Sequence, residues 1–310
     1  MRQSSALEYL RHGQTPFFRL PTELGLAEST DAVILGVPHD GGTTYQPGAR
    51  FAPFHVRRTS GLVQNYHPGH RVDVFSRISA VDGGNIVFPP FDRAAMRESV
   101  FAMIHDLASK HAVPFVVGGD HSITTPILRA ISEAHGSLAV LHIDAHLDTS
   151  SADTWGDDHH HGTPIRHALE HGWIAPGALA SIGIRGPWGS PHDAELVRRH
   201  DAMIASADDV GSRGVSRIVA EIRERFANRP LYVTIDVDGL DPAFAPGTGT
   251  PVPGGLTTRE LFGILRGLAG CDLVGMDVVE IAPPLDHADL TCHLGAHLLF
   301  EGLALLAVHT

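Results

Sequence analysis

The sequence has little of what marks secreted or membrane-spanning proteins. Its 310 residues include two cysteines, Cys271 and Cys292, and both lie in apolar surroundings. Two such residues give no disulfide framework, so we expect reduced, buried thiols. The N-terminus lacks the apolar core of a signal peptide, and no uninterrupted apolar run approaches the roughly 18 residues that a bilayer-spanning helix requires. The sequence therefore predicts a cytoplasmic protein.

Positive charge is also scarce. The chain has 23 Lys and Arg residues against 35 Asp and Glu residues, which gives a formal net charge of −12. An acidic surface repels nucleic acids and anionic membranes, and it favours small cationic molecules. We therefore expect neither a nucleic-acid partner nor a membrane partner.

The chain has no recognisable linker, because no Gly/Ser tract, block of like charges or internal repeat interrupts it. With 43% hydrophobic and 19% charged residues, its composition is that of an ordinary soluble globular protein. Large α/β folds often run past roughly 250 residues as one unit. We therefore predict a single domain over residues 1–310.

Short apolar runs alternate with helix-like stretches along the chain. The apolar runs are continuous in the way typical of strands buried on both faces of a parallel sheet; they lie at residues 32–37, 78–82, 114–120, 138–144, 179–186, 202–206, 231–238 and 273–280. Helix-like stretches include residues 93–111, 125–136 and 258–270. This alternation predicts an α/β fold with a doubly wound, mostly parallel sheet of about eight strands flanked by helices.

Polar side chains cluster where four of these predicted strands end. The sequences are GGDHS at 118–122, DAHLD at 144–148, DVDGLDP at 236–242, and Glu280. Ligands of such sheets bind in the crevice beyond the carboxyl ends of the strands. The sequence therefore predicts one site at this edge of the sheet.

Six residues at this edge have the chemistry of metal ligands. An extended backbone points alternate side chains to the same side, so Asp144, His146 and Asp148 could face one point. Asp236 and Asp238 repeat the spacing on another strand, and His121 supplies a sixth group. Any one of them could instead cap a helix or bond within a loop, but together they favour a metal site.

Four carboxylates in one crevice need a counter-charge, because like charges raise each other's pKa until some of them protonate. Two divalent cations would neutralise all four. Oxygen-rich sites with two histidines suit Mn²⁺, and Ni²⁺, Co²⁺, Fe²⁺ or Zn²⁺ can take a similar geometry. Two ions about 3.5–4 Å apart can share a water and lower its pKa toward neutrality. We therefore expect two Mn²⁺ per subunit, with Ni²⁺ or Co²⁺ as alternatives.

The motifs around these residues resemble those of the ureohydrolase family of arginases, agmatinases and related guanidino-compound hydrolases. The matching stretches follow the family's order and cover most of the chain: GVPHDGGTTYQPGARFAP (36–53), VGGDHS (117–122), HIDAHLDT (142–149), HHGTPIRHA (160–168), TIDVDGLDPAFAPGTGTPVPGG (234–255) and DVVEIAPPLDH (277–287). The form of the GTGTP motif is closer to agmatinases and guanidino-acid hydrolases than to arginases. The resemblance implies a three-layer sandwich shared with arginases and deacetylases.

The resemblance also implies roles for particular residues. One metal would be held by His121, Asp144, Asp148 and Asp236. The other would be held by Asp144, His146, Asp236 and Asp238, so Asp144 and Asp236 bridge the two. His161 would be the proton shuttle, and Glu280 would anchor the substrate guanidinium. Family members are usually trimers or hexamers, so we expect a homotrimer or homohexamer.

Each implied role has a physical reason. The guanidinium carbon is a poor electrophile, so the attacking oxygen must be a strong nucleophile, which Asp148 can orient by accepting a hydrogen bond. The departing amine must be protonated, and a histidine such as His161 suits that task. A carboxylate such as Glu280 pairs well with a planar guanidinium. We therefore predict cleavage of a guanidino compound to urea and an amine.

The loop after DAHLD bears on which guanidino compound is cleaved. It carries Asp153, Asp157 and Asp158, and this acidic character suits a cationic tail such as the amine of agmatine. A carboxylate tail would require a cation, which Arg166 or Arg185 could supply. Agmatine is the expected substrate, on its frequency in the family as much as on this chemistry, and guanidinobutyrate, guanidinopropionate, a proclavaminate-type intermediate, guanidine and substituted guanidines stay open.

Two other classes of protein remain as alternatives. Zinc-dependent deacetylases share the fold but use one metal and lack equivalents of His121 and Asp238. A non-catalytic relative would keep the fold and bind a partner. The complete set of six ligand residues favours an enzyme over both.

Overall fold

The central feature of the computed structural model, which describes residues 16–22, 30–188 and 191–309, is a parallel sheet of eight strands. These strands are β1 Ala32–Gly36, β4 Ala80–Asn85, β5 Val113–Val117, β6 Leu138–Ile143, β7 Ile174–Ile182, β8 Met203–Ala205, β9 Leu231–Asp236 and β10 Leu273–Val279. All eight correspond to the apolar runs that predicted them. A small antiparallel hairpin of β2 Tyr66–His67 and β3 Val72–Asp73 lies outside this sheet.

Eleven α-helices are found in the described residues. They are α1 Ala52–Ser60, α2 Val74–Arg77, α3 Arg93–Ser109, α4 Thr124–His135, α5 Ala152–Trp155, α6 Pro164–Glu170, α7 Pro191–Arg199, α8 Ala207–Arg213, α9 Val215–Phe226, α10 Thr258–Arg266 and α11 Leu290–His309. The three helices predicted by the sequence are α3, α4 and α10. Short 3₁₀ turns at His121–Ile123 and Val237–Gly239 follow β5 and β9 directly.

The helices form two layers, one on each face of the sheet. Successive residues of a strand point to opposite faces, so Ile34 packs into one half of the core while Val33 and Leu35 pack into the other. Helices α1, α9, α10 and α11 cover the first face, and α3, α4 and α6 cover the second. This is the expected three-layer α/β/α sandwich, and burial on both faces explains why the strands are continuously apolar.

Helix α11 is apolar enough to pass for a membrane span by length and composition. Its 20 residues include an 18-residue window of mean hydropathy 1.5, and 83% of that window is buried inside the protein. The helix packs against α1, α10 and β10, so here it serves as a core helix. It also carries Cys292, which is buried as expected, whereas Cys271 is only partly buried; both thiols are unpaired.

The strand order determines where the site lies. The sheet runs β4-β1-β5-β10-β9-β6-β7-β8 and each neighbouring pair is parallel. The four central strands β5, β10, β9 and β6 are therefore adjacent, although they come from well-separated parts of the chain. Their carboxyl ends meet at one edge of the sheet.

Candidate metal centre and active site

The predicted ligand residues converge at the carboxyl ends of the central strands. His121 follows β5, Asp144 follows β6, and Asp236 ends β9. Glu280 follows β10, which lies between β5 and β9. Asp144, His121, Asp236 and Asp238 are 0–4% exposed, so four ionisable groups are withdrawn from solvent at this point.

The backbone that presents these groups differs from the predicted one. Strand β6 ends at Ile143, before the ligands begin, and Asp148 lies in the left-handed region with φ 53°. The carboxylates close tight turns instead: Asp144 accepts a hydrogen bond from the His146 N–H at 2.6 Å, and Asp236 accepts one from the Asp238 N–H at 2.9 Å. Side chains two residues apart therefore face one point through turn geometry rather than through strand alternation.

His121 lies at the centre of one group of ligands. Its Nδ1 is 2.8 Å from Asp148 Oδ2, 3.2 Å from Asp144 Oδ2 and 3.6 Å from Asp236 Oδ2. Three carboxylate oxygens, two from the loop after β6 and one from the end of β9, thus face a single imidazole nitrogen.

A second group lies on the other side of Asp144. His146 Nδ1 is 3.4 Å from Asp144 Oδ1 and 3.1 Å from Asp238 Oδ2. The two oxygens of Asp144 therefore face different histidines, Oδ2 toward His121 and Oδ1 toward His146. This is the arrangement of a carboxylate that can bridge two cations.

Hydrogen bonds behind His121 direct its lone pair into the site. The Thr234 hydroxyl donates its one proton to Asp277 Oδ1 at 2.6 Å, so its oxygen must accept the hydrogen bond from His121 Nε2 at 2.8 Å. The proton of a neutral His121 is then on Nε2, and Nδ1 has only its lone pair. Nδ1 is fully buried and makes no hydrogen bond to any described residue.

This arrangement fits a divalent cation better than it fits a metal-free protein. The buried lone pair of His121 Nδ1 faces three carboxylate oxygens, and none of these four atoms can donate a hydrogen bond to another. A cation would satisfy all four. Burial and the neighbouring carboxylates also raise the pKa of Asp236 and of Asp238. Two divalent ions would relieve the same surplus of negative charge that causes these shifts.

His142 is a neighbour of the ligands that the sequence analysis did not select. It is fully buried, with Nε2 2.9 Å from Asp144 Oδ2 and Nδ1 3.1 Å from Ser181 Oγ. It precedes Asp144 by two residues, so the parity of strand β6 could have indicated it. Its contact with Asp144 makes it a residue that orients this carboxylate.

His161 and Glu280 form a pair beside the ligands. His161 Nδ1 is 3.0 Å from Glu280 Oε1, which also accepts the His121 N–H at 2.8 Å. Burial lowers the pKa of His161, but the charge and hydrogen bond of Glu280 outweigh it and raise the pKa to about 9. Glu280 is 1% exposed and takes a left-handed backbone with φ 62°, which is uncommon for a residue other than glycine.

A cavity of about 290 Å³ opens directly onto this centre. Its lining includes His146, Asp148, Asp236 and His161, whereas Glu280 lies behind His161 and does not line it. Trp155, Trp188 and Asp193 also form part of its wall. Among the described residues, no lysine or arginine lines the cavity.

Most of the residues predicted to read the substrate tail lie elsewhere. Asp153 and Arg166 line a separate neighbouring cavity, and Asp157 pairs with Arg93 at 2.9 Å. The guanidinium of Arg166 pairs with Asp158 and with Glu170. None of the three reaches the cavity at the metal centre in this conformation.

Arg185, the other cation considered for a carboxylate tail, is occupied by the backbone. Its guanidinium donates to carbonyl oxygens in and just after the Val237–Gly239 turn, among them Asp238 at 2.8 Å and Leu240 at 3.1 Å, and to Val252. Arg185 therefore fixes the turn that presents Asp238, and this leaves it poorly placed to bind substrate.

Comparison with known proteins agrees with this geometry. The family model described as "Arginase family" matches residues 30–304. Proclavaminate amidinohydrolase of Streptomyces clavuligerus is 42% identical over 296 residues, with 94% of each chain covered. Agmatinase of Neisseria meningitidis is 41% identical, with 93% of this chain and 92% of that one covered.

The solved structure of proclavaminate amidinohydrolase from Streptomyces clavuligerus superposes on the fold with a TM-score of 0.91 at 41% identity. The match covers 96% of this chain and 98% of the other. The family expected from the motifs is thus confirmed, and the chain belongs to the arginase family of metal-dependent hydrolases.

Proposed function

We propose that the protein hydrolyses the bond between the guanidinium carbon and the tail-bearing nitrogen of a small guanidino compound to give urea and an amine, with agmatine as the preferred substrate. The observation that carries the reaction type is the shared carboxylate of Asp144, which faces His121 through one oxygen and His146 through the other. Two ligand groups joined in this way, beside the His161–Glu280 pair, suit a binuclear hydrolase.

The metals would be held by the six residues described above, and we propose Mn²⁺, with Ni²⁺ or Co²⁺ able to replace it. When bound, such a pair of ions supplies a nucleophile by lowering the pKa of a water molecule toward neutrality. Asp148 is 8% exposed, lines the cavity and would orient that water by accepting a hydrogen bond. Asp277 and Thr234 keep His121 in the tautomer that a metal requires.

Glu280 would bind the substrate, and His161 would transfer a proton. Glu280 would hold the guanidinium group of the substrate through its carboxylate, which fixes the reacting carbon. His161 now contacts Glu280 Oε1, so a guanidinium that binds this oxygen would take over part of that contact. His161 would then be free to deliver a proton to the departing amine.

The preference for agmatine rests on the charge of the cavity wall. Asp193 lines the cavity, and no lysine or arginine does so among the described residues. A tail amine would find a carboxylate there, whereas a tail carboxylate would find no cation. Trp155 and Trp188 lie on the same wall and can pack against a methylene chain or an ammonium group.

A guanidino acid is the second candidate, and one observation favours it. The identity to proclavaminate amidinohydrolase, 42%, is as high as the identity to bacterial agmatinase, 41%. Carboxylate tails can also be held by neutral hydrogen-bond donors, which Thr149 and Ser150 of the cavity wall could provide. Guanidinobutyrate, guanidinopropionate and free guanidine belong in the same comparison.

We further propose that the enzyme is a cytoplasmic homotrimer or homohexamer, as its motifs suggest. Size-exclusion chromatography with light scattering would measure the subunit number directly.

Urea release from a panel of guanidino compounds tests the function. Protein saturated with Mn²⁺ should release urea fastest from agmatine, and chelation should abolish the activity until Mn²⁺ or Ni²⁺ is restored. A kcat/KM on 4-guanidinobutyrate or 3-guanidinopropionate that exceeds the value on agmatine would identify a guanidino acid as the preferred substrate. No urea from any compound, with two ions bound per chain, would refute the reaction.

A further inference from the structure

His161 is held from two opposite directions. Its Nδ1 faces Glu280, and its Nε2 faces Thr44, with the Thr44 hydroxyl at 2.8 Å and the Thr44 backbone nitrogen at 3.3 Å. A backbone N–H can only donate, so Nε2 accepts and the neutral ring carries its proton on Nδ1. Glu280 Oε1 accepts that proton's hydrogen bond.

The segment that carries Thr44 is itself firmly attached. The His161 N–H donates to the Gly42 carbonyl at 3.1 Å, and the Gly42 N–H donates to Asp120 Oδ2 at 2.6 Å. A side chain at position 42 would place its Cβ 2.8 Å from Ser122 Oγ and 3.0 Å from Asp120 Oδ1, so only glycine permits this approach. Thr44 therefore approaches His161 from a fixed support rather than from a loose loop.

Thr44 also lines the cavity in which substrate would bind. If a guanidinium displaces His161 from Glu280, the hydrogen bonds to Thr44 are the ones that the His161 side chain retains among the described residues. A hydroxyl suits this position, because it can donate to a neutral Nε2 and can accept from a protonated one. Valine, which has the same shape, can do neither.

We propose that Thr44 is a positioning residue for His161, one that selects the Nδ1–H tautomer and holds the ring in place when Glu280 binds the substrate guanidinium. This inference rests on the proposed function, in which His161 delivers a proton to the departing amine. The proposal assigns a role to the GGTTYQPG segment, which contains none of the proposed metal ligands.

Two neighbouring threonines allow a matched experiment. Thr43→Val is the control, because the Thr43 hydroxyl is buried and makes no hydrogen bond to a described residue. In metal-loaded enzyme we expect Thr44→Val to lower kcat about 10- to 100-fold, with KM and bound metal close to wild type. Thr44→Ser should recover most of kcat, and Thr43→Val should leave it unchanged.

A double mutant separates positioning from a structural effect. If Thr44 acts through His161, then adding Thr44→Val to His161→Ala should cause no further loss of kcat. Losses that multiply would overturn the proposal, as would wild-type kcat in Thr44→Val or failure of serine to rescue.

The tautomer can be measured without turnover, so failure of the proposed function can be distinguished from failure of this inference. Nitrogen-15 NMR of the His161 ring, assigned by comparison with His161→Ala in protein loaded with diamagnetic Zn²⁺ and recorded above the ring's pKa of about 9, where the ring is neutral, should show the proton on Nδ1. In Thr44→Val the population of this tautomer should fall. A proton on Nε2 in the wild type would overturn the inference even if the enzyme releases urea, and the expected tautomer would support it even if no substrate were cleaved.

Discussion

Asp277 offers the most demanding test of how the metal centre is supported. This fully buried carboxylate accepts hydrogen bonds from three hydroxyls: Thr124 at 2.7 Å, Tyr232 at 2.6 Å and Thr234 at 2.6 Å. Burial raises the pKa of Asp277, and the three donors together with His121 oppose that shift. Among the described residues, only the bond from Thr234 continues to a proposed metal ligand, because Thr234 in turn contacts His121.

The perturbation is Asp277→Asn, which keeps the shape and removes one acceptor. The amide NH₂ must face at least one of the three hydroxyls. The Thr234 hydroxyl then no longer has to donate to residue 277, so it no longer has to accept from His121. Loss of such an outer partner typically weakens metal binding 10- to 100-fold, or about 1.4–2.7 kcal/mol. Replacing three charge-assisted hydrogen bonds by neutral ones costs about 1 kcal/mol each, partly offset by removal of a buried charge, so we expect a loss of about 1–3 kcal/mol in unfolding free energy.

Tyr232→Phe is the matched control. It removes one donor to Asp277 but leaves the line from Asp277 through Thr234 to His121 intact, so it should lower stability by about 1 kcal/mol and leave metal affinity within about threefold of wild type. Affinity is measured by competition with a chelator of known strength, and stability by urea denaturation of the metal-free protein. Equal metal affinity in Asp277→Asn and wild type would refute the reasoning.

Three further predictions concern other parts of the molecule. His161→Ala should keep its bound metal but lose about 100-fold or more in kcat, and an unchanged kcat in steady-state assays would contradict its role in proton transfer. Arg185→Met should lower the unfolding free energy by about 2–4 kcal/mol in urea denaturation, because several carbonyl oxygens lose their donor, and a change below about 0.5 kcal/mol would contradict this. Burial, with Arg97 and His167 nearby, lowers the pKa of His159 to about 4, so the unfolded chain binds the proton more tightly and stability falls as pH drops from about 6.5 toward 4. His159→Gln should reduce this fall relative to wild type, and an equal or steeper fall would contradict the explanation.

The fold was largely predictable because its signals are local. Each strand is buried on both faces, and this makes its sequence continuously apolar, as in the run from Leu138 to Ile143. Strand order was not predictable in this way, because it depends on which segments pair over long distances. The lateral adjacency of β5, β10, β9 and β6 is such a fact, and it is what brings His121 to Asp144.

The six proposed ligands could be selected from the sequence because so many carboxylates and histidines at strand ends are best explained by a metal site. The backbone geometry that brings them together could not be predicted. Asp144 and Asp236 close turns through hydrogen bonds, and the resulting spacing of every second residue is the same as that expected for a strand. The supporting residues were harder still. Asp277 is a single acidic residue within an apolar strand, and Thr44 is one of several hydroxyl residues in a glycine-rich segment.

The residues predicted for the substrate tail are a different case, because most of them lie away from the cavity at the metal centre. The sequence indicated acidic side chains in the loop after Asp148, and Asp157 is indeed close in sequence, but its carboxylate pairs with Arg93 of another helix. Arg185 was considered as a free cation and instead binds the backbone of the turn at Val237–Gly239. Such pairings depend on distant segments, so sequence proximity to a metal motif is a poor guide to which side chains face a ligand.

Because the centre is assembled from four central strands, metal binding depends on how far the chain has folded. His121 and Asp236 are separated by more than a hundred residues, and neither can meet the other until both halves of the sheet have joined. Ions that require both can bind only once that junction exists, and by mass action they then oppose its reopening. If the proposed ions bind there, a shortage of the metal would consequently lower the stability of the folded chain as well as its activity.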